Sequence, residues 1–223
     1  MSNAIMQGFK FEDTTKSEDQ PPLATSIVRR ASTLELSVQS NSNTAGDVVF
    51  CDAAWKSGPA SQEAPAGIGV FIQTGGVQHC KHLFVSALSP PASTPLQAEA
   101  FGLLLATKLA EILQLRGPQF YMDCLVLASA VTTDDITKTP GHWSIRPLIA
   151  DIQRRSSFQA SNIFHLHRSC NVKAHHHARL ALKIQSRNLV VRCLCASTGG
   201  QCPARDISVI SVAPFTLRCV KCA

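Results

Sequence analysis

The alternation of apolar and polar residues predicts a mixed α/β domain between residues 47 and 187. Three early segments have strand character, and Gly75-Gly76 separates the second from the third, which is typical of a hairpin. Later segments carry apolar residues at the three- to four-residue spacing of helices. The predicted order is β-β-β-α-β-α-α-β-α, which implies an antiparallel start followed by parallel crossovers. The strands are predicted over 48–55, 66–72, 79–85, 119–124 and 162–168, and the helices over 96–115, 125–131, 145–155 and 172–187.

The segments on either side of this domain lack a sustained period. Residues 1–46 are rich in Ser, Thr, Asn and Gln, so we expect a disordered polar tail. Residues 188–223 contain cysteines, and we expect an irregular extension. No stretch approaches the ~18 apolar residues of a membrane span, and residues 1–19 lack the apolar centre of a secretory signal. We therefore expect a protein of the cytoplasm or nucleus, with no secretory signal and no membrane partner. We also expect it to be a monomer.

The basic residues are concentrated in one part of the chain. The 21 Lys and Arg exceed the 15 Asp and Glu, which gives a net charge of +6. Between Asp151 and Asp206 there is no acidic residue, whereas nine Lys or Arg occur there. Clustered cations attract polyanions such as nucleic acid. A solvated basic surface with no partner explains the same pattern.

Three acidic residues lie where the pattern predicts burial. Asp52 shares a strand face with Phe50, Glu99 lies within the apolar stripe of the longest helix, and Asp123 is near the end of the fourth strand. A buried carboxylate is costly without a cation or hydrogen bonds. Carboxylate oxygens suit hard divalent cations, so the three acids indicate a metal site for phosphodiester hydrolysis. The alternative is three surface acids at the ends of elements.

Five short motifs, in this order, resemble a type 1 ribonuclease H domain of the reverse-transcriptase-associated kind that is widespread in plant genomes. The resemblance covers roughly residues 47–187. The motifs are Asp52-Ala53-Ala54-Trp55, Ala66-Gly67-Ile68-Gly69-Val70, Gln97-Ala98-Glu99-Ala100, Tyr121-Met122-Asp123-Cys124 and the segment from Phe164 to Ala174.

The resemblance implies an α/β fold with a five-stranded mixed sheet, ordered 3-2-1-4-5, and helices on both faces. It also implies Mg²⁺-dependent hydrolysis of RNA in RNA–DNA hybrids, with Mn²⁺ as an alternative cofactor. Asp52, Glu99 and Asp123 match the family's metal-binding carboxylates. We expect hybrid or RNA to contact five residues near the end of the domain. These are Arg168, Asn171, Lys173, Arg179 and Lys183.

The fourth catalytic position departs from the family pattern. The family often has Asp four residues after the asparagine that corresponds to Asn171, and this chain has His175 there. A neutral imidazole is a poor Mg²⁺ ligand, although it binds transition metals. We count His175 among the candidate catalytic residues. The alternative is a catalytically degenerate, retroelement-derived module that binds nucleic acid without cleaving it.

The cysteines near the end of the chain raise the question of zinc. Cys193, Cys195, Cys202, Cys219 and Cys222 could supply four thiolates, but only the last two have the CxxC spacing that is usual in zinc knuckles. The spacing therefore favours reduced thiols over a zinc site.

Overall fold

The computed structural model describes residues 46–56, 64–74, 82–133, 143–185, 188–193 and 202–223. The predicted hairpin glycines, most of the predicted N-terminal tail and Cys195 lie outside these residues. The strands are β1 Val48–Ala54, β2 Ala64–Gln73, β3 His82–Ala92, β4 Gln119–Met122, β5 Ile163–His165, β6 Val190–Cys193 and β7 Thr216–Cys222. The helices are α1 Pro95–Ile112, α2 Leu125–Thr132, α3 Arg146–Gln153, α4 Val172–Lys183 and α5 Pro203–Val209.

The sheet confirms the predicted α/β fold of the ribonuclease H-like kind. Its order is β5-β4-β1-β2-β3-β7-β6, and the first five strands of that order have the predicted 3-2-1-4-5 arrangement. β2 is antiparallel to β1 and β3, while β4 is parallel to β1 and β5. α4 packs against β1, β2 and β3, and α1 contacts the same three strands. The prediction of five strands is wrong, because the described sheet has seven.

The additional strands come from the C-terminal extension, which was predicted to be irregular. β7 pairs with β3 in antiparallel fashion from Leu83↔Cys222 to Leu88↔Thr216, and β6 pairs in parallel with β7. Val220 is fully buried, and Phe215 packs edge to face against Phe101 of α1. Residues of the extension therefore belong to the same hydrophobic core as the first five strands. The core continues across the predicted boundary after residue 187. Without β7, the N–H and C=O groups along this edge of β3 would lack hydrogen-bond partners in the sheet.

The ends of α1 and β3 differ from the predicted ones. α1 ends at Ile112, and Gln114 adopts a φ of 51°, which does not continue a helix. The third strand was predicted to end at residue 85, but β3 continues to Ala92 and pairs Pro91 with Pro65. None of the helices in the described ranges has the length and apolar character needed to cross a membrane.

Candidate active site

Asp52, Glu99 and Asp123 meet at one place in the fold, as predicted. Asp52 lies near the carboxyl end of β1, and Asp123 directly follows β4. Because β1 and β4 are parallel neighbours, their carboxyl ends lie at the same edge of the sheet. Glu99 reaches this edge from the second turn of α1. A carboxylate oxygen of each residue lies within 4.8 Å of the other two.

The start of α1 is fixed by side-chain caps, and this fixes the place of Glu99. Thr94 accepts a hydrogen bond from the backbone N–H of Gln97 at 3.1 Å. The Gln97 side chain reaches back and accepts from the backbone N–H of Ser93 at 2.8 Å. Pro95 occupies the first helical position, where a missing N–H costs nothing. These hydrogen bonds and Pro95 therefore fix the start of α1, and Glu99 projects from the turn that follows.

Burial and mutual repulsion raise the pKa values of two of the carboxyl groups. Asp52 is 2% exposed, and burial raises its pKa to about 6, with the neighbouring charge of Asp123 acting in the same direction. The hydrogen bond from His175 opposes this shift. Burial, followed by the charges of Asp52 and Asp123, also raises the pKa of Glu99 well above its usual value. A divalent cation would offset this repulsion, and three hard oxygen donors suit such a cation.

His175 contacts the carboxylates directly. Its Nδ1 lies 2.8 Å from Oδ2 of Asp52 and 3.5 Å from Nη2 of Arg168. His175 lies in the first turn of α4, and its backbone N–H donates to the carbonyl of Asn171. The structure therefore brings the predicted fourth position to the cluster, where the imidazole ring contacts one of the three acids.

Asn171, one of the predicted nucleic-acid contacts, forms hydrogen bonds within the protein beside the carboxylates. Its side chain is buried, with 1% exposure. Nδ2 donates to the carbonyl of Cys51 at 2.9 Å and to Oδ1 of Asp123 at 3.4 Å. These contacts tie the start of α4 to β1 and orient the Asp123 carboxylate. Sequence analysis missed this role, because the pattern near Asn171 gives no sign of its partners.

Two glycines of β2 determine how closely α4 approaches the sheet. A Cβ atom at Gly69 would overlap the carbonyl oxygen of Ala174, and one at Gly67 would overlap that of Ala178. Further along α4, His177 stacks on Phe84 with a centroid distance of 4.9 Å, and its pKa is lowered to about 4, chiefly by burial. His177 therefore packs the helix as a neutral ring, whereas His175, two residues earlier, contacts Asp52.

A basic groove adjoins the carboxylates. It has a volume of about 460 Å³, and Glu99 and His175 form part of its wall. Three of the five predicted nucleic-acid contacts also line it, as does Lys56, which sequence analysis missed although it directly follows the first motif. Neither Arg179 nor Lys183 forms an ion pair with any described residue. The basic lining residues are Lys56, Arg168, Arg179 and Lys183.

Lys173, another of the predicted nucleic-acid contacts, is not among the residues that line this groove. Its Nζ lies 4.3 Å from the ring centroid of Phe71, within a row of stacked rings that crosses the sheet. Trp55 also lines the groove, and its indole N–H donates to the carbonyl of Ala92 at 3.1 Å. The contact fixes Trp55 against the end of β3.

One family of known sequences matches more than half of the chain. Residues 50–181 match the sequence profile of the reverse transcriptase-like family, which is more than half of the chain. No curated protein sequence matches the chain.

Several solved structures are similar to part of the chain. Ribonuclease H1 from Halobacterium salinarum is 18% identical with a TM-score of 0.41, and the match covers 61% of this chain and 97% of that one. The N-terminal ribonuclease H domain of a Mycobacterium tuberculosis protein is 21% identical with a TM-score of 0.46, over 60% and 97% of the two chains. A ribonuclease H1 isolated from compost, in complex with an RNA/DNA hybrid, is 19% identical with a TM-score of 0.40, over 61% and 96%.

Proposed function

Because the chain belongs to the reverse transcriptase-like family, we propose that it is a ribonuclease H-type nuclease that hydrolyses the RNA strand of RNA–DNA hybrids with the help of a divalent cation. The observation that carries this proposal is the meeting of Asp52, Glu99 and Asp123 within 4.8 Å of one another. The same series of motifs supports descent from a retroelement of the kind found in plant genomes.

Asp52, Glu99 and Asp123 would hold the cation, with Mg²⁺ the preferred ion and Mn²⁺ an alternative. A cation held in this way supplies positive charge that activates water and stabilises the leaving oxygen of a phosphodiester. Asn171 would stabilise the site without touching the substrate. Its side chain donates hydrogen bonds to the carbonyl of Cys51 in β1 and to the Asp123 carboxylate, and these bonds hold the two at a fixed separation.

The basic groove gives the substrate a place beside the carboxylates. Arg168, Arg179 and Lys183 would bind backbone phosphates, and Lys56, which also lines the groove, would add a further contact. Recognition of a hybrid through its phosphates and 2′-hydroxyl groups depends on shape, so we expect little sequence preference.

One observation favours a second candidate function. The Nδ1 atom of His175 lies 2.8 Å from Asp52, where the family pattern often has a fourth carboxylate. Compared with a carboxylate, an imidazole in this place gives the site one negative charge less. It also contacts Oδ2 of Asp52, an oxygen that would otherwise be available to a cation. On this reading the domain binds hybrid or RNA in the same groove without cleaving it.

Cleavage and binding assays on the full chain test both candidates. The labelled RNA strand would be offered in an RNA–DNA hybrid, in an RNA duplex and as a single strand, with Mg²⁺, Mn²⁺ or a chelator. We expect metal-dependent cleavage of the hybrid alone, and its loss in Asp123→Asn. Hybrid binding in chelator without cleavage in either metal would favour the second candidate. Absence of both binding and cleavage would contradict both.

A further inference from the structure

Three cysteines of the C-terminal extension converge at the edge of the sheet that is remote from the carboxylates. The Sγ atom of Cys202 lies 3.0 Å from that of Cys193 and 3.5 Å from that of Cys222. The Sγ atoms of Cys193 and Cys222 are 3.2 Å apart. Cys202 and Cys222 are buried, and Cys193 is half-buried. We call these three residues the thiol cluster.

The fold itself brings the thiol cluster together. Cys193 and Cys222 are register partners at the ends of the parallel strands β6 and β7. Cys202 precedes α5, and its carbonyl accepts hydrogen bonds from the backbone N–H groups of Arg205 and Asp206. Each cysteine therefore comes from a different element of the extension. β2 and β3 separate these elements from β1, so the cluster is distinct from the carboxylate site.

Sequence spacing gave no sign of this arrangement. The pattern singled out Cys219 and Cys222 as a knuckle, but residues three apart in a strand project to opposite faces. Cys219 lies within β7, where it pairs with Ser86 of β3 and Val190 of β6, and it is not part of the cluster. The three cysteines that do meet are nine and twenty residues apart in sequence. The pairing of β6 with β7 makes Cys193 and Cys222 neighbours, and the start of α5 adds Cys202.

We propose that the thiol cluster binds one zinc ion with a structural role. Thiolates are soft ligands that favour zinc, whereas the hard oxygens of the carboxylate site favour Mg²⁺. With Zn–S bonds of about 2.3 Å, tetrahedral sulfurs lie about 3.8 Å apart, so modest side-chain rotations complete the geometry. A disulfide requires about 2.05 Å, joins only two of the three sulfurs and leaves the third in contact with them.

Zinc binding would fasten the extension to the sheet. Each thiol would give up its proton to solvent on ligating the ion, and a fourth donor would complete the tetrahedral coordination. The ion would connect β6, the start of α5 and the end of β7, and β7 in turn covers the edge of β3.

The metal content of the full chain tests this proposal directly. The protein would be purified anaerobically with a non-thiol reductant, and its zinc measured by elemental analysis. We expect one zinc per chain, and we expect Co²⁺ substitution to give thiolate-to-cobalt charge-transfer absorption with tetrahedral d–d bands. A folded chain that carries no zinc and gives no such absorption would overturn the proposal. A disulfide within the cluster of the metal-free chain, formed under these anaerobic, reducing conditions, would overturn it as well.

Matched serine variants locate the ligands. Cys202→Ser and Cys222→Ser should each lose most of the zinc and the cobalt–thiolate absorption, whereas Cys219→Ser should retain both. Equal zinc loss in all three variants would contradict the assignment. If the cluster variants do not fold, chelation of the unmodified chain decides: we expect a fall in Tm that added Zn²⁺ reverses, and an unchanged Tm would contradict the structural role.

Discussion

At the residue scale, the contact between His175 and Asp52 decides how much negative charge the carboxylate cluster offers a cation. The two side chains are 2.8 Å apart, and the other two acids lie within 4.8 Å of Asp52. Replacing His175 with Asp adds a fourth carboxylate in the first turn of α4. We expect His175→Asp to raise Mg²⁺-supported cleavage of a hybrid by about tenfold or more, equal to ~1.4 kcal/mol of barrier.

The neighbouring histidine provides the control for this substitution. His176→Asp adds the same charge about 100° further round the helix and should leave cleavage nearly unchanged. Mn²⁺, which tolerates imidazole ligands, should support more cleavage by the unmodified chain than Mg²⁺ does. Single-turnover rates with each metal measure these effects. Loss of an existing activity in His175→Asp would instead mean that the imidazole already works in the site.

The raised pKa of Asp52 predicts how the stability of the metal-free chain depends on pH. Its pKa is about 6 in the folded chain and 3.8 as the ordinary value, so between these values the folded state binds more protons than the unfolded state. The free energy of unfolding should therefore fall as pH rises from about 4 to about 6. Denaturant titrations should show that the free energy of unfolding falls less over this pH range in Asp52→Asn than in the unmodified chain. An equal pH dependence in the two proteins would contradict the raised pKa of Asp52.

Sequence reasoning could find the three acids because each stands out against an apolar pattern, and parallel neighbouring strands place Asp52 and Asp123 at one edge. It could not find the role of Asn171, whose partners Cys51 and Asp123 are 120 and 48 residues away along the chain. Hydrogen bonds of that separation depend on tertiary packing, to which a local pattern does not respond.

At the element scale, the close approach of α4 to β2 places His175 and Asn171. A Cβ at Gly69 would overlap backbone atoms of α4, which cannot move as a side chain can. We expect Gly69→Ala to lower the free energy of unfolding by about 1–3 kcal/mol and to weaken cleavage by shifting α4. Chemical denaturation and cleavage assays would measure the two effects.

Gly102 of α1 is the matched control. A Cβ there would lie 3.5 Å from the nearest atom, the carbonyl oxygen of Asp52, which is ordinary contact. Since Ala is a better helix former than Gly by about 1 kcal/mol, Gly102→Ala should not destabilise the chain. Equal losses in Gly69→Ala and Gly102→Ala would contradict the account of α4 packing.

The elements with a clear period were predicted near their observed places, whereas the extension was not. β6 has four residues, and β7 pairs with a strand more than 120 residues earlier. The pairing of such strands depends on the exposed edge of β3 and not on local propensity. The same reason explains why the meeting of Cys193 with Cys222 was invisible in the sequence.

At the scale of the whole molecule, the fold divides the basic run that sequence analysis identified. Arg155 is engaged by Glu111 and Asp151 at 3.2 and 3.1 Å, and Lys173 lies over Phe71. Arg179 and Lys183 instead line the groove beside the carboxylates. The run therefore contributes only some of its residues to the groove that we propose for nucleic acid, since charge along a chain does not reveal the direction of each side chain.

The contrast between Arg179 and Lys183, which line the groove, and Lys173, which does not, predicts the salt dependence of hybrid binding. Each lost phosphate contact should reduce the magnitude of the slope of log K against log salt by about one. We expect Arg179→Ala combined with Lys183→Ala to weaken binding and reduce the slope by about two, while Lys173→Ala changes the slope little. Binding titrations in chelator at several salt concentrations would measure this. A slope altered as much by Lys173→Ala would contradict the placement of the groove.

The measurement that tests the central claim most directly is single-turnover cleavage of a labelled RNA–DNA hybrid by the unmodified chain and by Asp52→Asn. Asparagine keeps the size of the side chain and its ability to accept from His175, but it removes the charge at the centre of the cluster. We predict RNA-strand cleavage that requires Mg²⁺ or Mn²⁺ and falls by at least about a hundredfold in Asp52→Asn, equal to ~2.7 kcal/mol of barrier, with hybrid binding retained. Cleavage that persists in Asp52→Asn, or that proceeds equally in chelator, would contradict a metal-dependent site built on the three carboxylates.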